Sequence, residues 1–182
     1  EWAAHVLVLM LLPVGILGRR PRKHILRNKQ PDQMTQAAVR LPILLVHGYG
    51  LNRACWLFFQ TYLHTRGWPW VWAINHRPRS RPIPSYAESL SSKIDLLMAE
   101  AGADQVDVVA HSMGGIVTAW YMTQLHGDQR VRRLITLGTP WRGTRTHVFG
   151  LRREARDLAP DAQVIQDIQG IQGIQGDIVS IW

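Results

Sequence analysis

One segment restricts this chain more than any other: an apolar run that breaks at a serine set among small residues and then resumes. It is Val106 to Gly115, VDVVAHSMGG. Val106 to Ala110 reads as a short buried strand and Gly114 to about Leu125 as a helix, which leaves Ser112 on the turn between them. A nucleophile elbow has this order: a strand, a strained turn, then a helix. Such strain leaves little room two residues to either side, and Ala110 and Gly114 stand there. The turn also puts Ser112 at a helix N-terminus, where backbone N–H groups favour developing negative charge. A reading without chemistry is also open, a strand-to-helix turn with a capping serine.

The rest of the chain gives that segment a setting. Leu41 to Val46 and Pro69 to Ile74 read as strands, and Leu134 to Leu137 as a fourth after Val106 to Ala110. Asp177 to Trp182, DIVSIW, is a possible fifth. Between them, Asn52 to about Arg66 has helical content. Ser85 to about Ala101 places Leu90, Ile94, Leu97 and Met98 at helical spacing, closed by Gly102. Strands alternating with helices imply an α/β fold, a mostly parallel sheet covered on both faces. His76 to Pro84 is rich in Arg and Pro and reads as a loop. Arg152 to Ala162 has helical content. Gln163 to Gly176 carries an IQ repeat that reads as a low-complexity surface loop, with an apolar cover near the site as the alternative.

A second motif follows the first strand: His47-Gly48-Tyr49-Gly50. Acyl transfer needs N–H donors aimed at the tetrahedral oxyanion. One comes from the residue after the nucleophile, here Met113, and one from the loop after this strand, where the Tyr49 backbone is the candidate. Gly48 and Gly50 allow close approach. His47, Gly48 and Gly50 support the loop; Ala110, His111, Gly114 and Gly115 support the elbow.

Together the HGYG loop, the AHSMGG elbow and the ITLGTPWRGT segment (Ile135 to Thr144) resemble the α/β-hydrolase superfamily, and more narrowly bacterial triacylglycerol lipases and related esterases. The resemblance covers roughly residues 41–145, with DIVSIW as a weaker extension. It implies an α/β-hydrolase fold, Ser112 as nucleophile, and Tyr49 and Met113 as backbone oxyanion donors. Thr139-Pro140 follows the fourth strand, where such lipases have the same dipeptide, and reads as structural, shaping the rim of the site.

A serine nucleophile needs a His base oriented by an acid. The resemblance puts the acid just after DIVSIW and the His later still. The sequence ends at Trp182, and no His follows His147. The expectation is that acid and base are not in this chain, so that the 182 residues alone have little or no esterase activity, an exposed apolar surface and an unprotected sheet edge. Of the eight histidines, His5 and His24 precede the domain, and His64, His76 and His126 read as surface-turn residues. The side chain of His111 should point away from the nucleophile. His147 lies in the wrong part of the fold for a base, and Asp177 at the wrong end of the sheet for an acid.

Residues 2–18 are apolar apart from His5, and six basic residues follow between Arg19 and Lys29. As a helix, 17 residues span about 26 Å, just short of a hydrocarbon core of about 30 Å. The expected organisation is a membrane anchor over 1–18, a basic linker over 19–40 and a hydrolase domain over 41–182, incomplete at its C-terminus. Charge after the apolar run places the domain in the cytoplasm, with export as the alternative. The net charge of +8 comes without a recognition motif and excludes a nucleic-acid reading. The single cysteine, Cys55, excludes an internal disulfide framework. Nothing points to a metal or other cofactor. The expected activity is carboxylic ester hydrolysis on lipid or other acyl esters. An acyltransferase, or a membrane-anchored binding module on the same scaffold, stays open. Trp56, Phe58, Phe59, Trp68, Trp70 and Trp72 are expected in core or rim, and Trp141 as a wall of the substrate site.

Overall fold

The protein is described by a computed structural model over residues 40–78, 80–145, 152–169 and 175–181. The expected anchor, nearly all of the basic linker, and His147 lie outside these residues. Among the described residues, no helix is long and apolar enough to cross a membrane.

Five strands form one parallel sheet in the order β2-β1-β3-β4-β5. They are β1 (Ile43–Val46), β2 (Val71–Ile74), β3 (Val106–His111), β4 (Val131–Leu137) and β5 (Asp177–Ile181). The α/β expectation therefore holds. β4 begins at Val131, earlier than its apolar run suggests, because Arg132 and Arg133 interrupt that run with charge.

The helices are α1 (Leu57–Thr65), α2 (Ile83–Ala101), α3 (Met113–Gln124), α4 (Arg153–Arg156) and α5 (Gln163–Asp167). A 3-10 turn, Arg53–Trp56, leads into α1, and the Asn52 side chain caps it by accepting from the Ala54 N–H at 2.8 Å. α2 starts two residues before its expected beginning. Pro84 is tolerated in a first helical turn, and the Ile83 N–H donates to the Asp157 carboxylate at 2.6 Å. Gly102 closes α2 in a left-handed conformation, φ 63 and ψ 40.

Side chains of a strand alternate between faces, and β1 feeds a core on each. Leu44 and Val46 pack with Leu90, Ile94, Ile116 and Val117 of α2 and α3. Ile43 and Leu45 pack with Trp56 and Leu63 beside α1. Burial on both faces explains why the strands read as continuous apolar runs rather than alternating ones. β5 is an edge strand and leaves Val179 and Ile181 exposed, at 45% and 54%.

The first part of the IQ segment is not a surface loop. Residues 163–169 are helical, and Val164, Ile165 and Ile168 are buried in the α2–α3 core. Asp167 fixes the segment to α3 by accepting from Trp120 Nε1 at 3.2 Å and, through its carbonyl, from Gln124 Nε2 at 3.0 Å. Repetition in sequence hid an apolar helical face. Trp120 is eight residues beyond Ser112, about 12 Å along the helix axis, so Asp167 meets α3 well away from the elbow. Arg152 to Ala162 forms only the short α4 followed by turns.

Candidate active site

In a parallel sheet every strand ends at the same edge. The loops after β1, β3 and β4 therefore converge, and they carry the HGYG, AHSMGG and GTP motifs.

Ser112 follows β3 with φ 51 and ψ −121. His126 also has positive φ, but its ψ of 31 is ordinary left-handed backbone. Ser112 sits instead in a region that only glycine visits without strain, which costs about 1–3 kcal/mol. Three contacts hold it there. The Ser112 N–H donates to the Leu137 carbonyl at 2.9 Å. The Ser112 carbonyl accepts from the Gly115 N–H at 3.0 Å and from the Thr139 hydroxyl at 3.1 Å. The Ser112 side chain makes no capping bond to α3. The capping-serine reading therefore fails, and the hydroxyl is left at the N-terminus of a 12-residue helix.

The glycines are there because backbones meet. A Cβ on Gly114 would lie 2.7 Å from the Val46 carbonyl oxygen and 2.8 Å from that of His47. One on Gly115 would lie 2.1 Å from Thr139 Oγ1. One on Gly48 would lie 2.9 Å from His111 Nδ1 and 3.0 Å from Ser112 Cβ. The HGYG loop is thus pressed directly against the elbow. Ala110 and Met113 are buried beneath it. The His111 ring is turned onto the loop, and burial lowers its pKa. Gly50, at φ 71, lets the chain turn back after Tyr49, and the Leu51 N–H donates to the Gly48 carbonyl at 3.3 Å. The Tyr49 ring is half-buried, with the Arg152 guanidinium 5.9 Å from its centre.

His76 departs from expectation. It is buried rather than on a surface turn, between the rings of His47 (centroids 4.6 Å apart) and Tyr86 (4.8 Å). Its Nε2 is 3.1 Å from the His47 carbonyl oxygen, and its backbone N–H donates to His47 Nε2 at 3.3 Å. Burial and the neighbouring His47 push its pKa down to about 3. The Arg and Pro residues around it suggest a solvated loop, and no local pattern marks it as interior. His64 lies within α1 and His126 is exposed on a turn.

Trp141 is half-buried after β4, and its Nε1 donates to Ser180 Oγ of β5 at 3.2 Å. Asp177 begins β5, opposite the strand ends that carry the elbow, and pairs with Arg133 at 3.6 Å. Trp56 is core, as expected, whereas Phe58 on α1 is 65% exposed.

Residues 43–173 match the alpha/beta hydrolase family. A triacylglycerol lipase of Pseudarthrobacter phenanthrenivorans is 32% identical over 117 residues, covering 60% of this chain and 36% of that protein. A triacylglycerol lipase of Burkholderia plantarii is 32% identical over 117 residues, covering 60% of this chain and 32% of that protein. The chain therefore spans about a third of the length of these curated relatives. Among solved structures, a Bacillus licheniformis lipase in mature form superposes with a TM-score of 0.62 at 16% identity, over 81% of this chain and 67% of that one. Aspergillus fumigatus lipase B gives 0.62 at 17% identity, over 74% of this chain and 34% of that one. At such identities the likeness is one of fold.

Proposed function

The chain belongs to the alpha/beta hydrolase family, and within it we propose that it acts as a lipase- or esterase-type serine hydrolase with Ser112 as nucleophile. The observation that carries this reading is the Ser112 backbone, φ 51 and ψ −121 at the end of β3, with a side chain not used to cap α3. Strain of that kind is kept where it serves a site.

In this reading Ser112 Oγ attacks the ester carbonyl carbon and gives its proton to a general base. The carbonyl oxygen becomes an oxyanion, held by the backbone N–H groups of Met113 and Tyr49. When the tetrahedral species collapses, the C–O bond to the alcohol breaks and the base returns the proton to the departing oxygen. Water then attacks the acyl-serine, gives a proton to the same base, and releases the carboxylic acid with Ser112 restored. The base and the acid that orients it are assigned to none of the described residues. The triacylglycerol lipases among the relatives support a lipid or other acyl ester as substrate.

The test is hydrolysis of a p-nitrophenyl ester by the full-length protein, alongside labelling by a fluorophosphonate probe. Wild type is expected to turn over and to be labelled at Ser112, and Ser112→Ala to do neither. Turnover that survives Ser112→Ala overturns the reading.

A further inference from the structure

We propose that His76 is a positioning residue for the HGYG loop: by locking His47 it fixes the direction of the Tyr49 N–H. The inference rests on the reading of Tyr49 as an oxyanion donor and names what aims that donor.

The bonding partners assign the protons. A backbone N–H can only donate, so His47 Nε2, 3.3 Å from the His76 nitrogen, is the acceptor and carries no proton. The proton of neutral His47 is then on Nδ1, which donates to the Gly48 carbonyl at 2.9 Å. The His47 carbonyl can only accept, so His76 Nε2 donates to it at 3.1 Å. One pair of tautomers satisfies all three bonds.

These bonds pin two successive peptide planes. The His47 carbonyl belongs to the plane joining residues 47 and 48, and His76 Nε2 holds it. The Gly48 carbonyl belongs to the plane joining residues 48 and 49, and His47 Nδ1 holds that. A trans peptide is flat, with its N–H pointing opposite to its C=O. Fixing the Gly48 carbonyl therefore fixes the Tyr49 N–H. The need for such pins comes from Gly48 itself. A side chain there would collide with His111 and Ser112, yet a glycine left alone samples both signs of φ. Tyr86 of α2 closes the far side of the His76 ring and keeps it in place.

The test compares His76→Gln with His76→Asn in the full-length protein. The Gln amide reaches about where Nε2 stands; the Asn amide stops short. With a p-nitrophenyl ester, Asn is expected to lower kcat about 10-fold or more with KM little changed, since losing a whole oxyanion donor costs about 100- to 1,000-fold. Gln is expected to restore most of the rate at equal thermal stability. Ring 15N shifts of the wild type, which do not depend on activity or on variants folding, are expected to show His47 protonated at Nδ1. An Asn variant with wild-type kcat, equal losses in Gln and Asn, or a His47 protonated at Nε2 overturns the proposal. Turnover that does not depend on Ser112 overturns the underlying reading instead, and the 15N pattern still decides whether the lock exists.

Discussion

The Thr139 hydroxyl donates to the Ser112 carbonyl at 3.1 Å, tying the loop after β4 to the turn after β3. Thr139 is buried and also fills the space beside Gly115. Thr139→Val keeps the shape and removes the bond. It should cost about 1 kcal/mol in urea unfolding, the net worth of one such hydrogen bond. A stability equal to wild type would show that the Gly115 N–H alone satisfies that carbonyl.

Ser112→Gly should raise stability while removing hydrolysis and probe labelling. Glycine accepts φ 51 and ψ −121 without strain, and relief of about 1 kcal/mol outweighs its greater unfolded-state freedom. The urea midpoint reads this. A midpoint below wild type means that the turn is not strained.

Gly114→Ala and Gly102→Ala separate two reasons for glycine. Gly102 is at φ 63 with open space around it, so alanine costs only backbone strain, about 1–2 kcal/mol. Gly114 has no positive-φ requirement, but its new methyl would meet two backbone carbonyls at 2.7 and 2.8 Å. The Gly114 variant should lose at least 2–3 kcal/mol and its probe labelling, because the HGYG loop must move. Equal effects at the two sites would contradict the close approach.

Acid should destabilise the fold through His76. Its folded pKa lies near 3 and its ordinary value is 6.5. Below pH 6.5 the unfolded chain takes up a proton that the folded protein refuses. Its contribution to stability is therefore complete above pH 6.5 and is lost progressively as pH falls toward 3. The slope is at most about 1.4 kcal/mol per pH unit for one proton. Half-buried His111 acts in the same direction. His76→Gln should flatten the urea-midpoint profile by about one proton; an unchanged slope would place the effect elsewhere.

Ile165→Ala should cost about 2–5 kcal/mol, the range for emptying a packed core site, because Ile165 is only 2% exposed. Exposed Gln166, its neighbour in α5, should tolerate alanine within about 0.5 kcal/mol. Thermal melting distinguishes the two. Indifference at Ile165 would return this segment to the surface.

The sequence by itself determined the α/β alternation, the turn at Ser112 and the two glycine-bearing loops. Each rests on local chemistry: apolar runs bounded by breakers, and small residues where a chain must bend sharply. Only the tertiary structure decided what those loops touch. Thr139 reaches Ser112 across 27 positions and His76 reaches His47 across 29, because neighbouring parallel strands bring distant segments to one edge. His76 looks solvated among Arg and Pro, yet the rings of His47, edge-on, and Tyr86, tilted, enclose it. Periodicity carries no record of such pairings, since burial at a strand end depends on which strands are adjacent. The Ser112 turn was legible in the sequence; what holds it and the loop beside it was not.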